Sequence, residues 1–322
     1  MQILVVGGTW HIGSYLVPRL TRAGHQVAVV ARQPRSQYAL ELLGWQNVRW
    51  LAADRVAEEL AGTWKARMAA IEADVVIDAI AYSPEQAETI VAAFRGRISH
   101  FIHIGTIWAY GPPERVPYEE SDPRKPITDY GRKKAQIEAL LLQKCRQEGF
   151  PATIIHPGHI CGRKWLPIDP QGSRDGTGVY RKLARGEPVV LPDRGQATIH
   201  HIHSDDIAQL CERAIERRTA SLGESFSAVA PYAMSLQGCC QAVAALFGLE
   251  PALHFAPLAE MERHVSPASA AIIRDHVTHS PCCSIAKCQR LLDYQPRYTT
   301  EQIYTEAVEF MLESGTLDLS RA

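Results

Sequence analysis

The sequence predicts an α/β protein: a doubly wound parallel sheet followed by a smaller, mostly helical C-terminal domain. Three observations carry this. Six short apolar segments alternate with helical ones through the first half of the 322 residues, as strands buried on both faces and joined by right-handed crossovers do. A glycine-rich turn follows the first apolar segment. After Pro157 the alternation gives way to a long stretch rich in Gly, Pro and Asp, and then to helices.

The strands are expected at residues 2–6, 26–31, 48–52, 74–79, 100–104 and 152–156, each a continuous apolar run bounded by punctuating residues. Helices are expected between them at 11–23, 36–43, 63–72, 84–95 and 127–148. Residues 158–178 read as a long loop, and long loops in compact enzymes usually serve as lids or pocket walls. A helix at 178–185, a strand near 197–203, a helix at 205–217 and a strand at 224–228 follow. Further helices are expected at 235–247, 258–264, 284–292 and 300–314.

Composition sets the outer bounds. Hydrophobic residues make up 46% and charged residues 21% of the chain, a globular balance. A net charge of −1 provides no field to recruit nucleic acid or acidic lipid. No apolar run reaches the roughly 18 residues of a membrane span, and the chain enters its first strand without the n-region of a signal peptide. Eight scattered cysteines with no CxxC pair suit reduced thiols, so a cytoplasmic location is expected.

The first strand runs into Gly7-Gly8-Thr9-Trp10-His11-Ile12-Gly13 and then a helix. Glycines there allow a tight turn, close approach of a pyrophosphate and close helix–strand packing, while free N–H groups and the helix dipole face the anion. A dinucleotide cradle is therefore expected. The second strand ends Ala31-Arg32-Gln33-Pro34-Arg35, with no carboxylate for a ribose 2′-hydroxyl. Arg32 and Arg35 suit a 2′-phosphate, which predicts NADP(H) in preference to NAD(H). Asp54 is placed to bond an adenine amino group, and the small Ala79 and Ala81 let a cofactor lie over the fourth strand's end. Residues 1–157, with part of 195–228 returning, are read as the dinucleotide-binding domain; 158–194 and 229–322 form the substrate-binding domain.

Tyr130 and Lys134 stand one helical turn apart on one face. A free phenol, with a pKa of about 10, is a poor base at neutral pH. A nearby ammonium favours the phenolate, so that Tyr130 can exchange a proton with a substrate hydroxyl. Thr106, after the fifth strand, can hydrogen-bond the developing oxygen.

With these residues the chain resembles the extended short-chain dehydrogenase/reductases, the NAD-dependent epimerase/dehydratase-like group. The glycine turn, Thr106 ahead of Tyr110-Gly111, the Tyr130–Lys134 pair, and the stretches 156–162, 202–208 and 291–297 carry the resemblance. It implies a Rossmann-type sheet with a nicotinamide cofactor, a C-terminal substrate domain and a homodimer through a four-helix face. By match, Tyr130 is the acid/base, Lys134 its partner, Thr106 the assisting hydroxyl, and Pro157 a cofactor contact. Hydride would pass between nicotinamide and a secondary alcohol or ketone carbon of a sugar-like or nucleotide-sugar substrate.

Three departures narrow this. Trp10 stands where the family's second motif glycine lies. Ile107-Trp108 follow Thr106 where dehydratases carry Asp-Glu, which disfavours a 4,6-dehydratase. Residues 197–203 hold no arginine for a diphosphate, so a smaller alcohol, ketone or free sugar derivative is as open as a nucleotide sugar. The alternative reading is a catalytically silent NADP(H)-binding sensor or RNA-associated scaffold.

His200, His201 and His203 near Asp205 and Asp206 suggest a metal cluster at first sight, but only His201 and His203 share a strand face. No metal is expected; Ser204 reads as a helix cap and Asp206 as structural. His103 and His156 read as core histidines with satisfied ring nitrogens. Trp108, Tyr110 and Trp165 either line the pocket or pack the core.

Overall fold

The computed structural model describes residues 1–33, 44–174 and 176–319. Arg35 and the helix expected at 36–43 lie outside the described residues. Apolar runs without alternation become β1 (Gln2–Val6), β2 (Gln26–Ala31), β3 (Arg49–Ala52), β4 (Val75–Asp78), β5 (His100–Ile104) and β6 (Ala152–Pro157). Between them run α1 (His11–Arg22), α2 (Arg55–Leu60), α3 (Trp64–Ala69), α4 (Pro84–Phe94) and α5 (Asp129–Glu148).

The second half contributes β7 (His159–Cys161), α6 (Gly178–Ala184), β8 (Val189–Pro192), β9 (Thr198–Ile199), β10 (His201–His203), α7 (Ser204–Glu216) and α8 (Arg218–Ser221). Then come β11 (Ser225–Ala228), β12 (Met234–Ser235), α9 (Leu236–Ala245), β13 (Leu253–Ala256), α10 (Leu258–Met261), α11 (Pro267–His279), α12 (Ala286–Leu292) and α13 (Thr300–Glu313).

Among the described residues the main sheet has seven strands in the order β3-β2-β1-β4-β5-β6-β11. Every pair is parallel. Strand order reverses between β1 and β4, which opens a crevice at the C-terminal ends of the strands. Alternate residues of each strand feed two cores. Ile3, Val5, Val29, Ile77 and Ile102 pack on one face with α1 and α7, while Leu4, Val6, Val30, Val76 and Phe101 pack on the other with α3, α4 and α5. A third core around Tyr180, Val189, Val243 and Tyr304 joins α6, α9 and α13.

Several expectations need correction. Residues 55–60 form α2, unread because it is short; Asp54 caps it, its side chain accepting from the Ala57 N–H at 3.1 Å. Residues 267–279, read as no element, form α11, started by the Ser266 cap. β8 and β13 pair in parallel, a two-strand sheet the pattern did not reveal. The strand near 197–203 is two strands split at His200, because β9 turns to pair with β12 while β10 pairs with β7. The helix at 258–264 ends at Met261 and tightens into a 3₁₀ turn. His203, not Ser204, caps α7: its Nδ1 accepts from the Asp205 N–H at 3.1 Å, while the Ser204 hydroxyl donates to the Cys161 carbonyl.

Candidate active site

The crevice over β1, β2, β4 and β5 has a volume of about 680 Å³. At its centre Gly7 is left-handed, φ +85°, and a Cβ there would lie 2.4 Å from the Ile80 side chain. A Cβ on Gly13 would lie 1.9 Å from the Gly8 carbonyl oxygen, so only glycine lets α1 begin directly against the turn. Trp10, the residue before α1, has φ −95° and ψ −177°, an extended backbone open to any residue. The residue is 44% exposed and lines the crevice with Thr9, His11 and Ile12. A left-handed glycine turn, a crowded helix start and a long recess fit the pyrophosphate of a dinucleotide. The tryptophan costs the turn nothing in backbone conformation.

At the outer end, Arg32 lines the crevice beside Ala31, exposed and without an ion-pair partner among the described residues. Asp54 lines it too, one carboxylate oxygen already committed to capping α2. Ala79 reaches the crevice, whereas Ala81 is fully buried and offers only its carbonyl inward. Arg55, which the sequence reading did not single out, also lines the recess. It is locked to Asp78 at 2.9 Å, Glu59 at 2.7 Å and the Gln86 carbonyl at 2.9 Å. A guanidinium so neutralised is a wall, not an open phosphate ligand.

At the inner end, Thr128 caps α5, accepting from the Gly131 N–H at 3.1 Å, and places Tyr130 in the first turn. Gly131 seats this turn on the Ile107–Ala109 segment: a Cβ would lie 2.5 Å from the Trp108 carbonyl oxygen. Tyr130 is 45% exposed. Its phenol is pushed up to about 12, chiefly by desolvation of the hydroxyl end, with a hydrogen bond from Thr106 opposing. Lys134 is buried, and its Nζ donates to the carbonyls of Ala81 at 2.8 Å and Ile104 at 2.9 Å, leaving one N–H. Burial lowers it to about 7, with Asp78 resisting. The expected lowering of the phenol by the ammonium is therefore not what the structure has: Lys134 turns to backbone carbonyls, and desolvation dominates Tyr130.

Behind Thr106 lies a buried network that the sequence reading missed. The Thr106 N–H donates to His156 Nδ1 at 3.1 Å, and His156 Nε2 stands 3.0 Å from Glu138 Oε1. Arg124 donates to both Glu138 oxygens at 2.6 and 2.7 Å, and the Ser225 hydroxyl donates at 2.6 Å. Burial alone would raise the Glu138 carboxyl, but His156 and Arg124 hold it well below the carboxylate range. Only the position of Glu138 was legible: it follows Lys134 by the same four-residue step that separates Lys134 from Tyr130, while its partners lie on other elements.

His156 is satisfied at Nδ1 only, its Nε2 lying within ion-pair distance of Glu138 without an aligned hydrogen bond, and His103 is satisfied at neither nitrogen. Both its ring nitrogens are buried without a hydrogen-bond partner, and burial, then the Lys134 charge, drives its pKa well down. Gly8, Gly13, Ala81, Thr106 and Pro157 stand outside the crevice lining. Gly8 and Gly13 shape the turn, Thr106 lies beneath Tyr130, and Pro157 is paired in the sheet with Ala228. Trp108 packs in the core, its Nε1 donating to Asp275 at 2.7 Å and its ring stacked on His279. Tyr110 is buried under the Arg124 guanidinium at 4.0 Å. Trp165 stacks on His11 at the crevice edge. Among the described residues no group of three or more His, Cys, Asp or Glu could hold a metal, and no helix is long and apolar enough to cross a membrane. His203 instead meets Glu306 at 2.8 Å, and Asp206 receives the N–H groups of Arg297 and Tyr298.

A model of the NAD dependent epimerase/dehydratase family matches residues 3–228. The chain is 27% identical over 206 residues to 2'-dehydrokanamycin reductase of Streptomyces kanamyceticus, covering 64% of this chain and 55% of that protein. The match thus spans little more than half that relative's length. It is 25% identical over 332 residues to chloroplast stem-loop binding protein of 41 kDa b of Arabidopsis thaliana, covering 99% of this chain and 80% of that one. UDP-glucose 4-epimerase of Streptomyces lividans is 24% identical over 249 residues, 67% of this chain and 72% of its own. Among solved structures, UDP-glucose 4-epimerase of Thermotoga maritima superposes with TM-score 0.73 at 20% identity, covering 98% of this chain and 99% of its own. UDP-glucuronic acid 4-epimerase of Bacillus cereus does so with TM-score 0.71 at 18% identity, covering 98% and 100%. Both share the fold.

Proposed function

The chain belongs to the NAD dependent epimerase/dehydratase family of NAD(P)-dependent enzymes, and we propose that it works as an oxidoreductase or epimerase on a secondary alcohol or ketone carbon of a sugar-like substrate. One observation carries this: Tyr130, with Thr106 beside its phenol, stands at the inner end of a crevice that runs past the Gly7–Gly13 turn. A nicotinamide dinucleotide, when bound, supplies or accepts the hydride. The turn and the α1 N-terminus hold its pyrophosphate, Arg32 and Asp54 its adenosine end, and the remaining Lys134 N–H a ribose hydroxyl. Tyr130 passes a proton to or from the substrate oxygen, which Thr106 orients. Ile107 and Trp108 provide no carboxyl for water elimination, which argues against dehydration.

We further propose NADP(H) over NAD(H). Among the described residues Arg32 is an unpaired cation at the adenosine end, no carboxylate ends β2, and Arg55 is already neutralised. Relatives named as a dehydrokanamycin reductase and UDP-sugar epimerases support a sugar-derived substrate, as a free or nucleotide-linked sugar. Titration with both cofactors, and assay of Tyr130→Phe against a panel of such sugars, test the reading. Loss of turnover with cofactor binding kept is expected; equal or tighter binding of NAD(H) refutes the NADP(H) preference. A second reading, a silent or RNA-associated scaffold, is favoured by one observation: the relative aligned over 99% of the chain is named a stem-loop binding protein. A Tyr130→Phe variant indistinguishable from the wild type in every turnover assay and phenotype would favour it.

A further inference from the structure

The long loop after β7 reaches back to the cofactor turn. Trp165 stacks on His11, with ring centroids 4.4 Å apart and planes 2° from parallel, and meets the Trp10 ring edge-on at 6.2 Å. Arg174, nine residues further along the same loop, places its guanidinium carbon 6.0 Å from the Trp165 ring. It is exposed and forms no ion pair among the described residues. The titratable groups that feel its charge are His11, His159, His201, His276 and Cys161, all with pKa values displaced toward their neutral forms. A cation is thus held beside the Trp165–His11 stack against aromatic and neutral groups, with no counter-charge among the described residues. An uncompensated guanidinium on an aromatic platform is suited to a planar, bidentate anion such as a phosphate. The segment 197–203 has no arginine to do this.

We propose that Arg174, steadied by the Trp165–His11 stack, is a diphosphate-binding residue beside the crevice. This rests on the crevice being a dinucleotide site. The diphosphate has two possible sources, the cofactor's own pyrophosphate or a nucleoside-diphosphate sugar. The loop that carries Arg174 thereby ties substrate-side residues to the cofactor turn.

The test uses the full chain with Arg174→Gln and Arg174→Lys, their melting temperatures checked against the wild type. Calorimetry measures NADP⁺ and NAD⁺ binding, UDP binding to cofactor-saturated protein, and adenosine as a control without phosphate. Arg174→Gln is expected to weaken a diphosphate ligand about tenfold or more, the scale of one charged hydrogen bond, with partial recovery in Arg174→Lys and no change for adenosine. A loss confined to the dinucleotides assigns the residue to the cofactor, and a loss confined to UDP assigns it to the substrate. Unchanged affinity for both, or an equal fall for adenosine, overturns the proposal while leaving the cofactor site intact. A wild type that binds neither dinucleotide nor UDP overturns the crevice reading along with it.

Discussion

At the scale of single residues, Tyr130 and Lys134 illustrate how a spacing becomes chemistry only through its surroundings. Four residues apart on α5, they share a face, yet their polar ends have different partners: Thr106 for the phenol, two carbonyls for the ammonium. Tyr130→Phe keeps the ring and removes only the proton-transfer group. It should lower kcat by about 10²–10⁴-fold, the usual worth of general acid–base catalysis, and leave the cofactor dissociation constant unchanged. Arg32→Asp should reverse the cofactor preference, weakening NADP(H) while NAD(H) binds as well or better; parallel titrations decide it. An Arg32→Asp protein that still prefers NADP(H) would place the discriminating contact elsewhere.

Elements position these groups, and here the sequence was partly legible. The β1–turn–α1 unit could be read because glycine, apolar run and helix lie consecutively in the chain. The Tyr130–Lys134 pair could be read because helical spacing is local. The Arg55–Asp78 lock and the Glu138–His156–Arg124 network could not, since their partners lie on separate elements and meet only through the sheet order. The same holds for His103, where burial leaves both nitrogens without partners. Gly131 is an intermediate case: its position after Tyr130 is visible, but the Trp108 carbonyl that excludes a Cβ is not. Gly131→Ala should push the start of α5 away from that carbonyl, disturb the Tyr130–Thr106 bond and reduce turnover while leaving cofactor binding in place. Equal kcat for variant and wild type would show that α5 tolerates the shift. Glu138→Gln should cost stability by about 3 kcal/mol, because it leaves Arg124 without its buried counter-charge; denaturant titration measures this.

For the molecule as a whole, the neutral buried histidines make stability depend on acid. His100, His200 and His276 are lowered to about 4 and His201 to about 3, burial being the main cause in each. Their folded values lie below the ordinary 6.5, so the unfolded chain binds more protons as pH falls. Their contribution to stability is complete above about pH 6.5 and is lost progressively toward pH 4. Thermal melts across that window should show a steep fall in Tm; a flat profile would mean that these rings are charged or solvated in the native protein. Lys134, lowered to about 7, acts on the other side and adds stability as pH rises from about 7 to its ordinary value.

The last strand of the main sheet has a consequence for how the protein is made. β11 pairs with β6 although roughly 70 residues of loop, helices and small sheets separate them in the chain. Until it arrives, β6 is a bare edge and Glu138 lacks the Ser225 hydroxyl. A fragment ending after β6 should therefore be prone to sticking to its own kind, and a nascent chain emerging from the ribosome cannot finish its first layer until residue 228 is free.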